Sequence, residues 1–473
     1  MTAFWNRRKR LDSLIPGTSH QALKPTLGWP HLVGLGVGGI VGTGIYTLTG
    51  VGAGLAGPGV ILSFVIAGLV CACAALAYAE MSTMMPVAGS AYTYSYVVLG
   101  EGLAWIVGWS LILEYTVVCS VVAVGWSGYA GGVIRSLGWN VPESLLAGPH
   151  AGGLINVPAI VISLAVAGLL ALGTRESATV NLILVFVKLL ALGLFVALAI
   201  PAFDADNFQP FAPYGFGATE IDGVKHGVMA AAAIIFFAFY GFDAVSTAAE
   251  ETKNPSRDLK IGIIGSMLSC TLIYMIVAAA ALGGADYRTL ADSPEPLAMV
   301  LRGLNHPGAA TLIAGAAVLA LPTVIMAFMY GQSRIFFVMA RDGLLPQRLS
   351  RISPRTGSPI LMTSVTGVIV AAIAGFLPLS EIAAVANAGT LCAFIAVALC
   401  MLTLRVRAPA HPRPFSTPLA WPVGILAIVG CLYLFTSLSS ITIKFFFAWN
   451  ALGILIYVLF ARHYSSIARA ERA

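Results

Sequence analysis

A chain of 473 residues that is 58% hydrophobic and only 10% charged lacks the polar groups needed to clothe a water-soluble globule of that size. With a mean hydropathy of +0.90 it reads as a polytopic membrane protein. The net charge of +6 then reflects topology rather than affinity for nucleic acid.

Residues 1–30 form a polar, basic arm with Arg7, Arg8, Lys9 and Arg10 and no apolar core of signal-peptide length, so no cleaved segment is expected. The apolar-length criterion then places about twelve spans, near 31–56, 58–84, 102–134, 156–173, 177–200, 226–249, 261–283, 310–340, 359–377, 380–404, 419–440 and 443–462. The fold class is an all-α polytopic membrane protein.

The first span carries Gly34, Gly36, Gly38, Gly39, Gly42 and Gly44 within eleven positions. Each interior Gly costs a helix roughly 1 kcal/mol relative to Ala, so the run predicts an unwound segment at membrane depth. Backbone freed there must bind something, and in transporters such breaks hold a substrate's charged ends. Close helix packing is the competing reading, because Gly38 and Gly42 alone make a GxxxG face. Gly34, Gly36 and Gly39 also fit a dinucleotide loop, but no strand precedes them and the match is discarded.

The third span carries Glu114 and the fifth carries Lys188, charges that insertion scales put at about 2.5–3.5 kcal/mol each at the bilayer centre. Lys188 lies about 18 Å from either end of its helix, too far to snorkel. A desolvated amine exchanges its proton readily, so Lys188 is a candidate proton carrier. The alternative is a structural cation locked to Glu114 or to backbone carbonyls. Glu114 is placed with proton coupling as a partner for Lys188, a substrate ammonium or another helix.

The sixth span reads Ile-Ile-Phe-Phe-Ala-Phe-Tyr-Gly-Phe-Asp around residues 234–243, a second hydrophobic segment interrupted by a Gly and an acid. Asp243 is expected to cap the helix that restarts there, with proton transfer as the other reading. Each half of the chain therefore opens on a broken helix. The expected layout is 1–30 arm, 31–200 first inverted repeat (spans 1–5), 226–404 second repeat (spans 6–10), 419–462 accessory spans 11–12, and 463–473 tail.

With the N-terminus inside, one side gathers nineteen Lys and Arg, among them Lys24, Arg175, Lys253, Arg334's neighbour Arg341, Arg355, Arg405, Arg407, Arg413 and Arg472. The other side has Arg135, Lys225, Arg288, Arg302 and Lys444, so both termini are expected in the cytoplasm. The basic arm also suits anionic membrane lipids. The loop around Glu250 and Glu251 is placed to pair with Arg334 or Arg341 as a gate, and Glu80, near the end of span two, to shape the same end of the molecule.

All seven cysteines fall in predicted spans and read as small packing residues; no disulfide framework, metal site or cofactor is indicated. The histidines, His20 among them, lie at or beyond span ends, which argues against a membrane metalloenzyme and for no enzymatic role.

The runs Gly-Ile-Val-Gly-Thr-Gly-Ile-Tyr (39–46), Tyr-Ala-Glu-Met-Ser-Thr-Met-Met-Pro-Val-Ala-Gly-Ser-Ala-Tyr (78–92), Gly-Phe-Asp-Ala-Val-Ser-Thr-Ala-Ala-Glu-Glu-Thr-Lys-Asn-Pro (241–255) and Arg-Ile-Phe-Phe-Val-Met-Ala-Arg-Asp-Gly-Leu-Leu-Pro (334–346) resemble the amino acid/polyamine/organocation superfamily. The likeness covers essentially the whole chain and is greatest to the cationic amino acid transporter branch with its bacterial members. It implies five plus five inverted-repeat helices with discontinuous helices 1 and 6, two accessory helices, alternating access, and a multi-pass protein of the bacterial inner membrane. By the same resemblance, the substrate carboxylate meets N–H groups of Gly42, Thr43 and Gly44. Its ammonium meets carbonyls near Ile40, Phe237, Ala238 and Tyr240, and Lys188 takes the place of a sodium ion, favouring H⁺ as coupling ion. Phe328 is expected to wall the pocket, favouring symport of a small or medium neutral L-amino acid such as alanine. An exchanger or a cationic (Arg/Lys) uniporter stands as the alternative, and a channel-like pore as the alternative of another class. A small single-span membrane subunit is left open.

Overall fold

The computed structural model describes residues 4–9, 25, 27–87, 89–172, 177–221, 223–351, 353 and 359–470. Of the residues named above, Arg10, His20, Lys24, Arg175, Arg355 and Arg472 lie outside the described residues. The chain is mostly helical. The first predicted span is α1 (Trp29–Ile40), α2 (Thr43–Tyr46) and α3 (Leu48–Ala56), and the second is α4 (Val60–Met84). After α5 (Ser90–Val98), Gly100 at φ +118° turns the chain into the long α6 (Glu101–Ser136). Next come α7 (Val157–Leu172), α8 (Ser177–Ala199) and an antiparallel hairpin of β1 (Thr219–Ile221) and β2 (Val224–His226).

The sixth predicted span is α9 (Val228–Ile235) and α10 (Phe242–Thr247), followed by α11 (Pro255–Gly284). Two short helices outside the spans, α12 (Tyr287–Asp292) and α13 (Pro296–Gly303), lead to α14 (Pro307–Ala320) and α15 (Pro322–Arg341), which meet at Leu321. The chain ends in α16 (Ile360–Phe376), α17 (Leu379–Arg407), α18 (Ala420–Ser437), α19 (Ser440–Ile456), a π-helical turn, and the short α20 (Arg462–Tyr464) and α21 (Ser466–Ala470). Among the described residues, nine helical stretches are long and apolar enough to cross a membrane, and two shorter apolar helices accompany them.

Several of the long helices, α4, α6 and α17 among them, have no amphipathic stripe, so water does not fix their faces. Small residues do. Gly36 lies against Ser266 of α11, Gly262 against Leu32 of α1, and Gly367 of α16 against Ala167 of α7, each so close that a methyl group would stand within 3 Å of its neighbour. Exposed Leu, Ile, Val and Phe on α8, α18 and α19 form the outer surface, while α6, α9, α10 and α15 are buried centrally. Trp109 and Trp449 stack at 4.8 Å and each donates its indole N–H to the other's carbonyl, pinning α19 to α6. The seven cysteines are all free.

Candidate functional site: two facing helix breaks

Helix α1 stops where Val41 turns extended, and Gly42 (φ −151°, ψ −146°) precedes the restart at Thr43. In the sixth span, α9 tightens through Phe236–Ala238 and breaks at Gly241, whose φ of +122° is a conformation that suits Gly alone. The two breaks face each other backbone to backbone. A Cβ on Gly241 would stand 2.7 Å from the Gly39 carbonyl carbon, and one on Gly44 would stand 2.4 Å from the Ala238 Cα. Both predicted interruptions are therefore present, and glycine permits their contact.

Between them lies a narrow cavity, with room as it stands for about one water molecule, lined by Gly39, Ile40, Gly42, Thr43, Gly44, Val118, Val122, Phe237, Tyr240, Val324 and Phe328. Seven of the eight residues expected at the site line it; the eighth, Ala238, lies behind it and supports Gly44. Phe328 meets Tyr115 edge-on at 5.3 Å and Tyr240 at 6.0 Å, so it is a wall of the cavity and not a lipid-facing residue. The cavity's three valines were not foreseen: α6 has no polar stripe to mark its inward side, and Val324 lies in the apolar first turns of α15, ahead of its polar residues.

The cavity is polarised by peptide groups. Thr43 and Gly44 begin a helical segment, so their N–H groups have no acceptor one turn back. On the facing break, no donor among the described residues reaches the carbonyls of Phe237, Ala238 or Tyr240. Ile40 differs from expectation, because its carbonyl accepts the Tyr274 hydroxyl at 2.5 Å and one side of it is taken.

Lys188 is fully buried but does not line the cavity. Its ammonium donates to the carbonyls of Gly38 (2.9 Å) and Val41 (2.8 Å) and to Thr323 Oγ1 (3.0 Å). All three protons are thereby used, and Lys188 ties α8 to the break in α1 and to α15. Glu114 is not its partner: neither carboxylate oxygen of Glu114 has a hydrogen bond among the described residues, although the side chain is wholly buried. Asp243 lies within the first turn of α10, where its carboxylate accepts the Gly241 N–H (3.0 Å) and the Tyr115 hydroxyl (2.8 Å). It satisfies the N–H exposed by the break from inside the helix rather than from the capping position, which Gly241 occupies.

Toward the arginine-rich end the cavity is sealed. Arg334 pairs with Glu251 (3.3 Å) and lies over the Tyr330 ring at 3.3 Å, while the Tyr330 hydroxyl donates to the same carboxylate. Arg341 reaches Glu250 at 3.7 Å, as the charge pattern anticipates. Glu80 gathers Arg405 (2.6 Å), Arg413 (3.3 Å) and the Thr417 N–H (2.7 Å) at that end. On the opposite side, the Tyr129 hydroxyl donates to the Tyr46 carbonyl at 2.6 Å.

A multi-pass helical membrane protein with a closed central cavity between two broken helices has the form of a permease. The amino acid permease family model matches residues 27–460. The chain is 44% identical to the branched-chain amino acid permease BcaP of Bacillus subtilis (strain 168), over 98% of each chain. It is 38% identical to the methylthioribose transporter of the same organism, over 97% of this chain and 98% of that one. It is also 38% identical to the mitochondrial cationic amino acid transporter 3 of Arabidopsis thaliana, over 87% of this chain and 68% of that one. The chain belongs to the amino acid permease family, within the amino acid/polyamine/organocation superfamily.

Proposed function

We propose that this permease is a secondary active transporter that couples inward proton movement to uptake of a neutral L-amino acid with a small or medium apolar side chain. The observation that carries this reading is the pair of abutting breaks around the cavity. Their free N–H groups at Thr43 and Gly44 suit a carboxylate, and the open carbonyls of Phe237, Ala238 and Tyr240 suit an ammonium. Val118, Val122, Val324 and Phe328 present apolar walls that suit an uncharged side chain and offer no acceptor for a guanidinium or second ammonium. That a relative of 44% identity is named for branched-chain amino acids agrees with such walls.

Transport proceeds by alternating access in a layout of twelve spans, two inverted repeats of five (31–200 and 226–404) and two accessory helices, with both termini in the cytoplasm of a bacterial cell. The Arg334–Glu251–Tyr330 cluster is the inner gate. Lys188, held to the broken backbone of α1, links its protonation to the shape of the site, because losing a proton removes one of three bonds that join α1, α8 and α15. Protons are the coupling ion in this scheme.

Uptake of a panel of radiolabelled amino acids into proteoliposomes, with and without an inward proton gradient, tests the reading. Accumulation of valine or alanine only under the gradient is expected; accumulation driven by a sodium gradient alone overturns the coupling. Phe328→Ser is expected to admit larger side chains, and an unchanged substrate range removes Phe328 from the selectivity wall.

A further inference from the structure

Residues 5–9 of the N-terminal arm lie across the cytoplasmic ends of α6 and α15, and the sequence around them is shaped to receive them. Gly100 and Gly102 flank Glu101 at the start of α6. A Cβ on Gly102 would stand 1.8 Å from the Trp5 ring, and one on Gly100 would stand 2.8 Å from the Trp5 carbonyl. The Trp5 ring packs on Tyr457, 5.2 Å between centroids, and the Glu101 N–H donates to the Arg7 carbonyl at 2.7 Å.

Two buried carboxylates anchor this segment. Glu101 accepts hydroxyls from Tyr96 (2.8 Å), Tyr457 (3.0 Å) and Ser465 (2.6 Å), with the Arg7 guanidinium at 3.9 Å. Asp342, the first residue beyond α15, accepts Lys9 Nζ at 2.5 Å and the Tyr92 hydroxyl at 2.8 Å. Its carbonyl accepts the Ser466 N–H (2.9 Å), so arm and tail close on the same turn. The last two turns of α15 also hold Arg334 and Arg341 against Glu251 and Glu250. One stretch of helix thus bears both the inner gate and the seat of the arm.

We propose that residues 5–9 act as an intramolecular clasp that holds the cytoplasmic side closed, with the Lys9–Asp342 pair as its releasable lock. Opening the gate requires the end of α15 to part from the Glu250–Glu251 loop, and the clasp resists that by fixing the same turn to α6 and to the C-terminal tail. Lys9 is the part suited to release, because its ammonium is partly exposed and its ion pair with Asp342 joins the arm directly to the end of α15.

The test is access to a cysteine just inside the gate. Thr247 is buried at the end of α10, facing Gly331 of α15 one turn inside Arg334. In full-length Thr247→Cys protein in inside-out vesicles, labelling by a membrane-impermeant maleimide is measured against the parent lacking that cysteine. Lys9→Glu is expected to raise the labelling rate about fivefold, the size of shift a part-exposed charge pair gives a two-state equilibrium. Lys9→Arg keeps the slow rate, and the exchange Lys9→Glu with Asp342→Lys restores it. Should Lys9→Glu fail to fold, Lys9→Gln is read the same way, with a smaller increase expected. Equal labelling of Thr247→Cys with Lys9 in place and with glutamate or glutamine there overturns the clasp, as does fast labelling in Lys9→Arg. The readout needs no substrate, so it stands apart from which amino acid is carried.

Discussion

Lys188 shows how one side chain can serve as both brace and switch. A buried ammonium needs three acceptors, and here they come from two carbonyls of the broken α1 and one hydroxyl of α15, with no carboxylate among them. The arrangement is stable while the amine is charged and has a donor too few when it is not. Lys188→Gln keeps a polar, hydrogen-bonding group of similar reach but cannot carry a proton. Accumulation driven by a proton gradient is expected to fall at least about tenfold in this variant, corresponding to the roughly 1.4 kcal/mol per decade of any coupled equilibrium. Substrate-induced thermal stabilisation of the purified protein remains. If gradient-driven accumulation survives, the coupling proton sits elsewhere, and Glu114, buried without a partner among the described residues, is the next group to test.

At the scale of elements, the decisive contact is between the two breaks. Gly241 has a backbone conformation that costs a residue with a Cβ about 1–3 kcal/mol, and the added methyl would also press on the Gly39 carbonyl carbon. Gly241→Ala is therefore expected to lower stability by about 2–4 kcal/mol, combining strain with overpacking, and to abolish uptake. Gly193→Ala in α8, where a methyl group meets nothing within 4 Å, keeps uptake and raises stability by up to about 1 kcal/mol; thermal unfolding of the detergent-solubilised variants measures the contrast. The first break was legible because a glycine run weakens a spanning helix, although Gly34, Gly36, Gly38 and Gly39 lie within α1, where the first three permit close packing, and only Gly42 sits at the break; the second was legible because Gly241 and Asp243 interrupt an aromatic run. Lys188 was legible because a lone charge stands out against an apolar helix. Val118 and Val122 were not, since α6 has no polar face to show which side looks inward, nor were Thr323 and Val324, which precede the polar residues of α15. Tyr274, which covers the Ile40 carbonyl, comes from α11 well beyond Pro255, where the nearest motif ends.

Over the whole molecule, charge separates the two ends. One end carries Lys9–Asp342, Arg334–Glu251, Arg341–Glu250 and the Arg405–Glu80–Arg413 cluster. The other carries the sparser Arg135–Glu143 and Arg302–Glu295 pairs and Lys225, which donates to the carbonyls of Thr436 and Leu438 at the end of α18. Insertion keeps segments rich in Lys and Arg on the cytoplasmic side, and an asymmetry of this kind is what it would leave. The inner gate, the clasp and both termini would then share the cytoplasmic face. Tyr464, exposed in α20, and Leu137, exposed just beyond α6, mark the two ends. Tyr464→Cys is expected to react with an impermeant maleimide in inside-out vesicles and not in intact cells, and Leu137→Cys to show the reverse. The opposite pattern would turn the molecule over in the membrane and place the Arg334–Glu251 gate on the outer side.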